Sequence, residues 1–326
     1  MRTLSRILLV ALCAALLVSG GTAENAESGM TVMETITSFK NSIPDASALD
    51  NLAIRAKKEL GMPIRALDFS WNAGKFTCGA DYGSTLTNKG YVKDNGNRLQ
   101  VIRDQAEFDY LLYLPDGYDP AKKYPMILFL HGIGERGDDP SVIADYGPFQ
   151  YILKGHSLGM IVIAPQLEKE NHWVDNAEGA EYDGQIDRLK IFLSQMREAW
   201  PVDDRRIYLT GLSMGGRGSW KLACAMPDTF AALAVVCGRA SVWDQPENYV
   251  YDLARLKGMP VWIFHGLGDT TVAPDHGLAA ARKLRAEDPE GELNLTLYPV
   301  VGHNSYDFAY TDSRLYAWLE EHILAD

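Results

Sequence analysis

Gly211-Leu212-Ser213-Met214-Gly215 sets a serine between two glycines, directly after an apolar run at 207–210 and directly before a helical pattern at 216–226. A strand that turns sharply into a helix lifts the residue at the turn above the sheet. Glycine neighbours relieve the crowding of that strained backbone. A hydroxyl held this way becomes a nucleophile only when a base takes its proton and a third group orients the base. After a serine in this setting, the acid and then the histidine follow along the chain.

Four histidines follow Ser213: His265, His276, His303 and His322. His303, in Val300-Val301-Gly302-His303-Asn304-Ser305, comes straight after the last apolar run, where a base above the sheet belongs. His265 ends an apolar run but precedes the candidate acid, His276 opens a helical stretch, and His322 sits in the terminal one. The acid is Asp269, in His265-Gly266-Leu267-Gly268-Asp269-Thr270. Its rivals are Asp275, at a helix-capping position, and Asp252, ahead of the run at 261–264. A solvated loop histidine and a plain turn aspartate are the alternative readings of His303 and Asp269.

A tetrahedral intermediate needs two backbone N–H donors aimed at its oxyanion. Met214, next after the serine, supplies one. The other is assigned to Ile133, between glycines in His131-Gly132-Ile133-Gly134-Glu135-Arg136-Gly137, which follows the run at 126–130. His131 reads as a structural residue at the base of that loop. Arg136 has two readings: a surface pairing with Glu135 or Asp138, or a guanidinium on the alcohol side of the cleft that grips an acidic sugar such as a uronate. Gln166, Trp173 and Trp243 join Arg136 as candidate substrate contacts. These aromatics, with Tyr249 and Tyr251, either line an acyl or sugar pocket or simply pack.

Such loops need a sheet beneath them. Short runs at 126–130, 160–164, 207–210, 232–236, 261–264 and 293–298 are apolar on both faces, as buried parallel strands are. Helical patterns at 180–199, 215–226, 275–287 and 312–323 alternate with them, so both faces are covered. Segments 98–103 and 108–114 read as an antiparallel pair, with Pro115-Asp116-Gly117 as a turn. The expectation is an α/β fold with a mostly parallel eight-stranded sheet, spanning 97–326. Only 24 residues separate 236 from 261, which leaves room for a minimal cap. Residues 24–96 are expected to form an N-terminal accessory segment, a short helix around Leu49, Leu52, Ile54 and Leu60 followed by irregular or hairpin-like chain.

Residues 1–23 have the build of a secretory signal peptide: Arg2 and Arg6, an apolar run at 7–18, then small residues to Ala23. Export, to the medium or a periplasm, is therefore expected. Removing two arginines takes the formal net charge from −12 to −14, which disfavours nucleic acid and anionic membranes as partners. Of four cysteines, Cys78, Cys224 and Cys237 lie beyond the leader, too few for a disulfide framework. No Cys/His spacing suits a structural zinc, so no structural metal is expected. The oligomeric state is not readable.

Residues 108–324 resemble the α/β-hydrolase esterases grouped with feruloyl esterases, polyester depolymerases and so-called predicted peptidases. The segments that carry the resemblance are Tyr110-Leu111-Leu112-Tyr113-Leu114-Pro115, the loop from His131 to Gly137, Ala164-Pro165-Gln166, the serine turn, His265-Gly266-Leu267-Gly268-Asp269 and Gly302-His303-Asn304-Ser305-Tyr306. The resemblance implies a two-step acyl-enzyme mechanism without a cofactor. It also implies ester substrates, of which feruloyl or acetyl groups on plant polysaccharide are the expected class. A serine peptidase of the same fold would ordinarily carry a large gating domain, which 24–100 is too short to supply. A catalytically inactive binding protein is the remaining alternative, set against the presence of all the elements together.

Overall fold

The computed structural model describes residues 30–39, 42–60, 64–82, 98–174 and 184–325. The leader at 1–23 lies outside the described residues, as do 83–97 and the first residues of the helical pattern expected from 180. Two helices come first, α1 (Val32–Ser38) and α2 (Ala46–Leu60), then the hairpin β1 (Ile64–Asn72) and β2 (Lys75–Tyr82). The antiparallel pair is β3 (Leu99–Ile102) and β4 (Tyr110–Tyr113). Then follow β5 (Tyr124–Leu130), α3 (Pro148–Leu153), β6 (Ile161–Pro165), α4 (Gly184–Ala199), β7 (Val202–Leu212), α5 (Met214–Ala225) and β8 (Ala232–Val236). A small hairpin, β9 (Ser241–Val242) and β10 (Gln245–Tyr249), precedes β11 (Val261–Gly266), α6 (Asp275–Glu287), β12 (Leu293–Tyr298), α7 (Tyr306–Ala309) and α8 (Ser313–Glu320).

Among the described residues, ten strands make one sheet in the order β2-β1-β12-β11-β8-β7-β5-β6-β4-β3. The stretch from β12 to β6 is parallel throughout. Every residue of β6, β8 and β11 is buried, because helices cover the sheet on both faces. One face packs against Leu49 and Leu52 of α2, Leu189 and Phe192 of α4, Trp220 of α5 and Leu278 of α6. The other packs against Phe149 of α3 and Leu315 and Leu319 of α8. Between β8 and β11 the chain forms only the β9–β10 hairpin and one 3-10 turn, Leu253–Leu256, so the cap is small.

The eight expected strands are all present, and the sheet gains two more from the segment read as accessory. β1 pairs antiparallel with β12, Leu67 opposite Leu297 and Trp71 opposite Leu293, so this segment builds the sheet edge. Its buried face carries Phe69 and Trp71, whose rings stack 6.2 Å apart. The turn joining β1 to β2 is Ala73-Gly74, with φ of 46° and 73°. A tight hairpin wants positive φ at both positions, and an alanine in the first lacks the usual Asn-Gly signature. That is why composition alone did not resolve this hairpin into strands. No helix among the described residues is long and apolar enough to cross a membrane.

If β1 belongs to the same cooperative unit as the central strands, Leu67→Ala lowers the stability of the whole fold by about 2–5 kcal/mol. Denaturant unfolding followed by tryptophan fluorescence and by circular dichroism checks this. Two separate transitions would instead make the segment a unit of its own.

Candidate active site

β7 runs into α5 through Ser213, whose φ of 53° and ψ of −115° no unstrained serine adopts. The turn is held by its own backbone: Ser213 N–H donates to Val236 O at 2.9 Å, and Arg217 N–H donates to Ser213 O at 3.0 Å. The glycines are required by close approach. A Cβ on Gly215 would stand 1.9 Å from Leu130 O, and one on Gly211 would stand 2.4 Å from Gly215 O.

The structure brings Ser213, His303 and Asp269 into one hydrogen-bonded line. His303 Nε2 lies 2.9 Å from Ser213 Oγ, and His303 Nδ1 lies 2.8 Å from Asp269 Oδ2. Asp269 comes from the loop after β11 and His303 from a short turn after β12. The other carboxylate oxygen, Oδ1, accepts the N–H groups of Thr271 at 2.8 Å and Val272 at 2.9 Å. Burial alone would raise the Asp269 pKa. The His265 imidazole beside it, with hydrogen bonds from His303 and Val272 N–H, outweighs burial and holds the carboxyl well below the usual range.

His265 lies 3.4 Å from Asp269 Oδ2, and the other rivals are placed elsewhere. His276 is buried against Ser241 Oγ at 2.8 Å, and burial pushes its pKa down. His322 bonds Trp318 O and Glu292 Oε2. Asp252 caps the 253–256 turn through Ala254 N–H. Asp275 is the first residue of α6 rather than its cap, since Pro274 holds the capping position.

The loop after β5 is locked by buried polar groups. His131 is fully buried, and Leu167 N–H donates to its Nε2 at 3.0 Å. Nε2 is thus an acceptor, so Nδ1 carries the hydrogen and donates to Gly132 O at 2.6 Å. In a trans peptide the N–H points away from the C=O. Holding Gly132 O toward the ring therefore turns the Ile133 N–H the other way. Burial pushes the His131 pKa down to about 4, so the ring stays neutral above that pH. The backbone N–H groups of Ile133 and Met214 find no acceptor among the described residues.

Three expected substrate contacts turn out to brace this loop. Trp173 is fully buried, and its indole N–H donates to His131 O at 2.9 Å. It therefore cannot line an open pocket. Gln166 is also buried, and its Nε2 donates to Glu135 O at 2.8 Å and Asp139 O at 3.1 Å. Arg136 pairs with neither Glu135 nor Asp138. Its Nε donates to Ile133 O and its Nη1 to Asn171 O, both at 2.9 Å. Most of these contacts leave no local pattern, because they join a side chain to a backbone carbonyl more than thirty residues away. Tyr249 and Tyr251 pack, with their hydroxyls on Ala279 O and Arg217 Nε. Trp243 is the exception. It is 49% exposed on the β9–β10 hairpin, with the Arg239 guanidinium 4.9 Å from its ring centre.

Cys78, Cys224 and Cys237 are free thiols, and burial pushes the Cys224 thiol up to about 12. Cys237 Sγ, an Asp269 oxygen and a His303 nitrogen lie within 4.8 Å of one another, a set able to ligate a soft cation. A cation held there would compete for the same His303 and Asp269 atoms that now bond each other.

The Esterase family model, described as "Putative esterase", matches residues 105–287. The probable feruloyl esterase C of Aspergillus terreus is 27% identical over 175 residues, 54% of this chain and 60% of that protein. The poly(3-hydroxyoctanoate) depolymerase of Pseudomonas fluorescens is 28% identical over 170 residues, 48% of this chain and 61% of that one. The match thus spans less than two thirds of the length of these curated relatives. Among solved structures, a thermostable esterase is similar at a TM-score of 0.54 and 26% identity, covering 69% of this chain and 62% of that one. The feruloyl esterase module from Clostridium thermocellum, complexed with sinapinate, covers 69% of this chain and 90% of that one at a TM-score of 0.52. At 15% identity that is a likeness of fold alone. With the family matched over more than half of its length, on a parallel sheet carrying a strained serine turn, this chain belongs to the esterase family and has the α/β-hydrolase fold.

Proposed function

We propose that the protein is a carboxylic-ester hydrolase working through an acyl-enzyme. The observation that carries this reading is the unbroken line Ser213–His303–Asp269, starting from a strained turn. Ser213 Oγ attacks the ester carbonyl carbon while His303 Nε2 takes the hydroxyl proton. The carbonyl oxygen gains a negative charge, which the N–H groups of Ile133 and Met214 meet. Collapse of the intermediate breaks the ester C–O bond, and the leaving alcohol takes the proton from His303. Water then repeats the attack on the acyl-serine, again giving its proton to His303, and the acid is released with Ser213 restored. Asp269 fixes the His303 tautomer and stabilises the imidazolium between the two transfers.

The substrates are acyl esters, feruloyl or acetyl, carried on plant polysaccharide, and the protein is exported to reach them. Feruloyl esterases among the relatives support the acyl group. The small cap leaves room for a bulky alcohol, and exposed Trp243 offers a flat face to a sugar or aromatic ring. The leader-like residues 1–23 support export.

Ser213→Ala and His303→Ala are each expected to lower kcat on the order of a millionfold, because serine and base act as one unit. Asp269→Ala should cost less. Loss of fluorophosphonate labelling in Ser213→Ala, with wild-type labelling intact, reports the same nucleophile. A panel of acetyl, feruloyl, longer acyl and peptide substrates decides the acyl class; cleavage of peptides alone would overturn the ester reading.

Asp269 is held ionised well below the usual carboxyl range, so it stays charged while a neutral solution is acidified. The acid limb of kcat/KM should therefore fall with the slope of a single proton. A slope of two would mean that Asp269 titrates with it. Chelators should leave the rate unchanged, because no step uses a metal.

Arg136 gives a third test. Since its bonds hold the Ile133 loop, Arg136→Ala should reduce kcat/KM equally on neutral and uronate-bearing esters. A loss confined to uronate-bearing esters would restore a substrate contact.

A further inference from the structure

We infer that His265 is a positioning residue for the triad, a second imidazole that shares Asp269 Oδ2 with His303 and keeps the working proton on His303. The inference rests on the hydrolase reading above. His265, near the end of β11, is fully buried, and its Nε2 lies 2.9 Å from Val272 O and 3.4 Å from Asp269 Oδ2. A carbonyl oxygen only accepts, so Nε2 carries a hydrogen that it donates to that carbonyl, and the same N–H stands beside the carboxylate at the longer distance. The other ring nitrogen, Nδ1, is buried without a partner. It faces Gly277 so closely that a Cβ there would stand 2.7 Å away. A hydrogen on Nδ1 would have no acceptor, which leaves the ring as the Nε2–H tautomer.

Asp269 therefore accepts three hydrogen bonds, two from backbone N–H groups on Oδ1 and one from His303 on Oδ2, and has the second imidazole 3.4 Å from Oδ2; none of these groups is a lysine or arginine. Cys237, at the end of β8, faces the same carboxylate as an uncharged thiol whose pKa burial raises. His276 of α6, bonded to Ser241, is near enough to His265 and Arg239 to feel the charge of both. While Ser213 attacks, His303 is an imidazolium beside this carboxylate, and the leaving alcohol needs its proton. Each donor on Oδ2 makes Asp269 a weaker base, and so keeps that proton from crossing to Asp269.

The test compares His265→Leu, which removes the donor, with His265→Gln, whose side-chain N–H reaches the position of Nε2. With the donor gone, Asp269 is more basic and favours the His303 imidazolium more strongly. The acid limb of kcat/KM should move up by roughly half to one pH unit in His265→Leu, and return in His265→Gln. A role limited to packing would lower stability and leave the limb where it is. Should His265→Leu fail to fold, His265→Asn, too short to reach Asp269, takes its place.

A second readout needs no turnover. Asp269 has a depressed folded pKa, so its stability contribution is present above the unfolded value, about 3.9, and is lost as pH falls toward the folded one. Raising the folded pKa shrinks that contribution, so unfolding free energy should depend less on pH below about 5 in His265→Leu than in the wild type. An unshifted limb, or an unchanged pH dependence of unfolding, overturns the role of His265. A wild type that hydrolyses no ester overturns the hydrolase reading instead, and the unfolding curves then decide for His265.

Discussion

The close approach of backbone to backbone at the ends of β5, β7 and β8 is the constraint on which the rest depends. Leu130 O sits where a side chain on Gly215 would be, and Gly216 lies so near Gly238 that a Cβ on either would meet the other's Cα at under 3 Å. That contact, with the Ser213 N–H bond to Val236 O, leaves the serine no relaxed conformation to fall back into. A strained residue of this kind costs about 1–3 kcal/mol. The cost is tolerated because the flanking strands pair in parallel along their length and are buried on both sides. The reactive hydroxyl is placed by the sheet rather than by its own loop.

Dipoles, rather than opposed full charges, do most of the remaining positioning. On a chain of net charge −12, the buried Asp269 carboxylate is held by two backbone N–H groups and two imidazoles, with no lysine or arginine among its bonded partners. The oxyanion loop follows the same logic. A neutral His131 holds one peptide plane, Arg136 and Gln166 hold the Ile133 and Glu135 carbonyls that follow it, and Trp173 closes the base. Buried hydrogen bonds of this kind fix geometry, because breaking any one leaves a desolvated polar atom without a partner.

Much of this could be read from the residues. The order of serine, acid and histidine, each just past an apolar run, followed from local patterns, because buried parallel strands write themselves as continuous apolar segments. Ile133 and Met214 could be singled out from the sequence because they contribute backbone, whose position depends on the turn rather than on the side chain. The side-chain contacts were not. Gln166, Trp173 and Arg136 looked like substrate residues from their place in loops above the sheet, yet each is committed to a carbonyl or to packing.

The chain by itself determined which element types form, their order, and the residues that stand at the carboxyl ends of the strands. These depend on hydrophobic periodicity and on glycine at turns, and both are properties of a few adjacent residues. Tertiary structure alone decided that β1 and β2 close the sheet beside β12, that Trp173 is inside, and that His265 reaches the same carboxylate as His303. Each of these is a contact between segments brought together by packing. No local pattern records it, because the free energy that selects it comes from burial shared across the whole sheet.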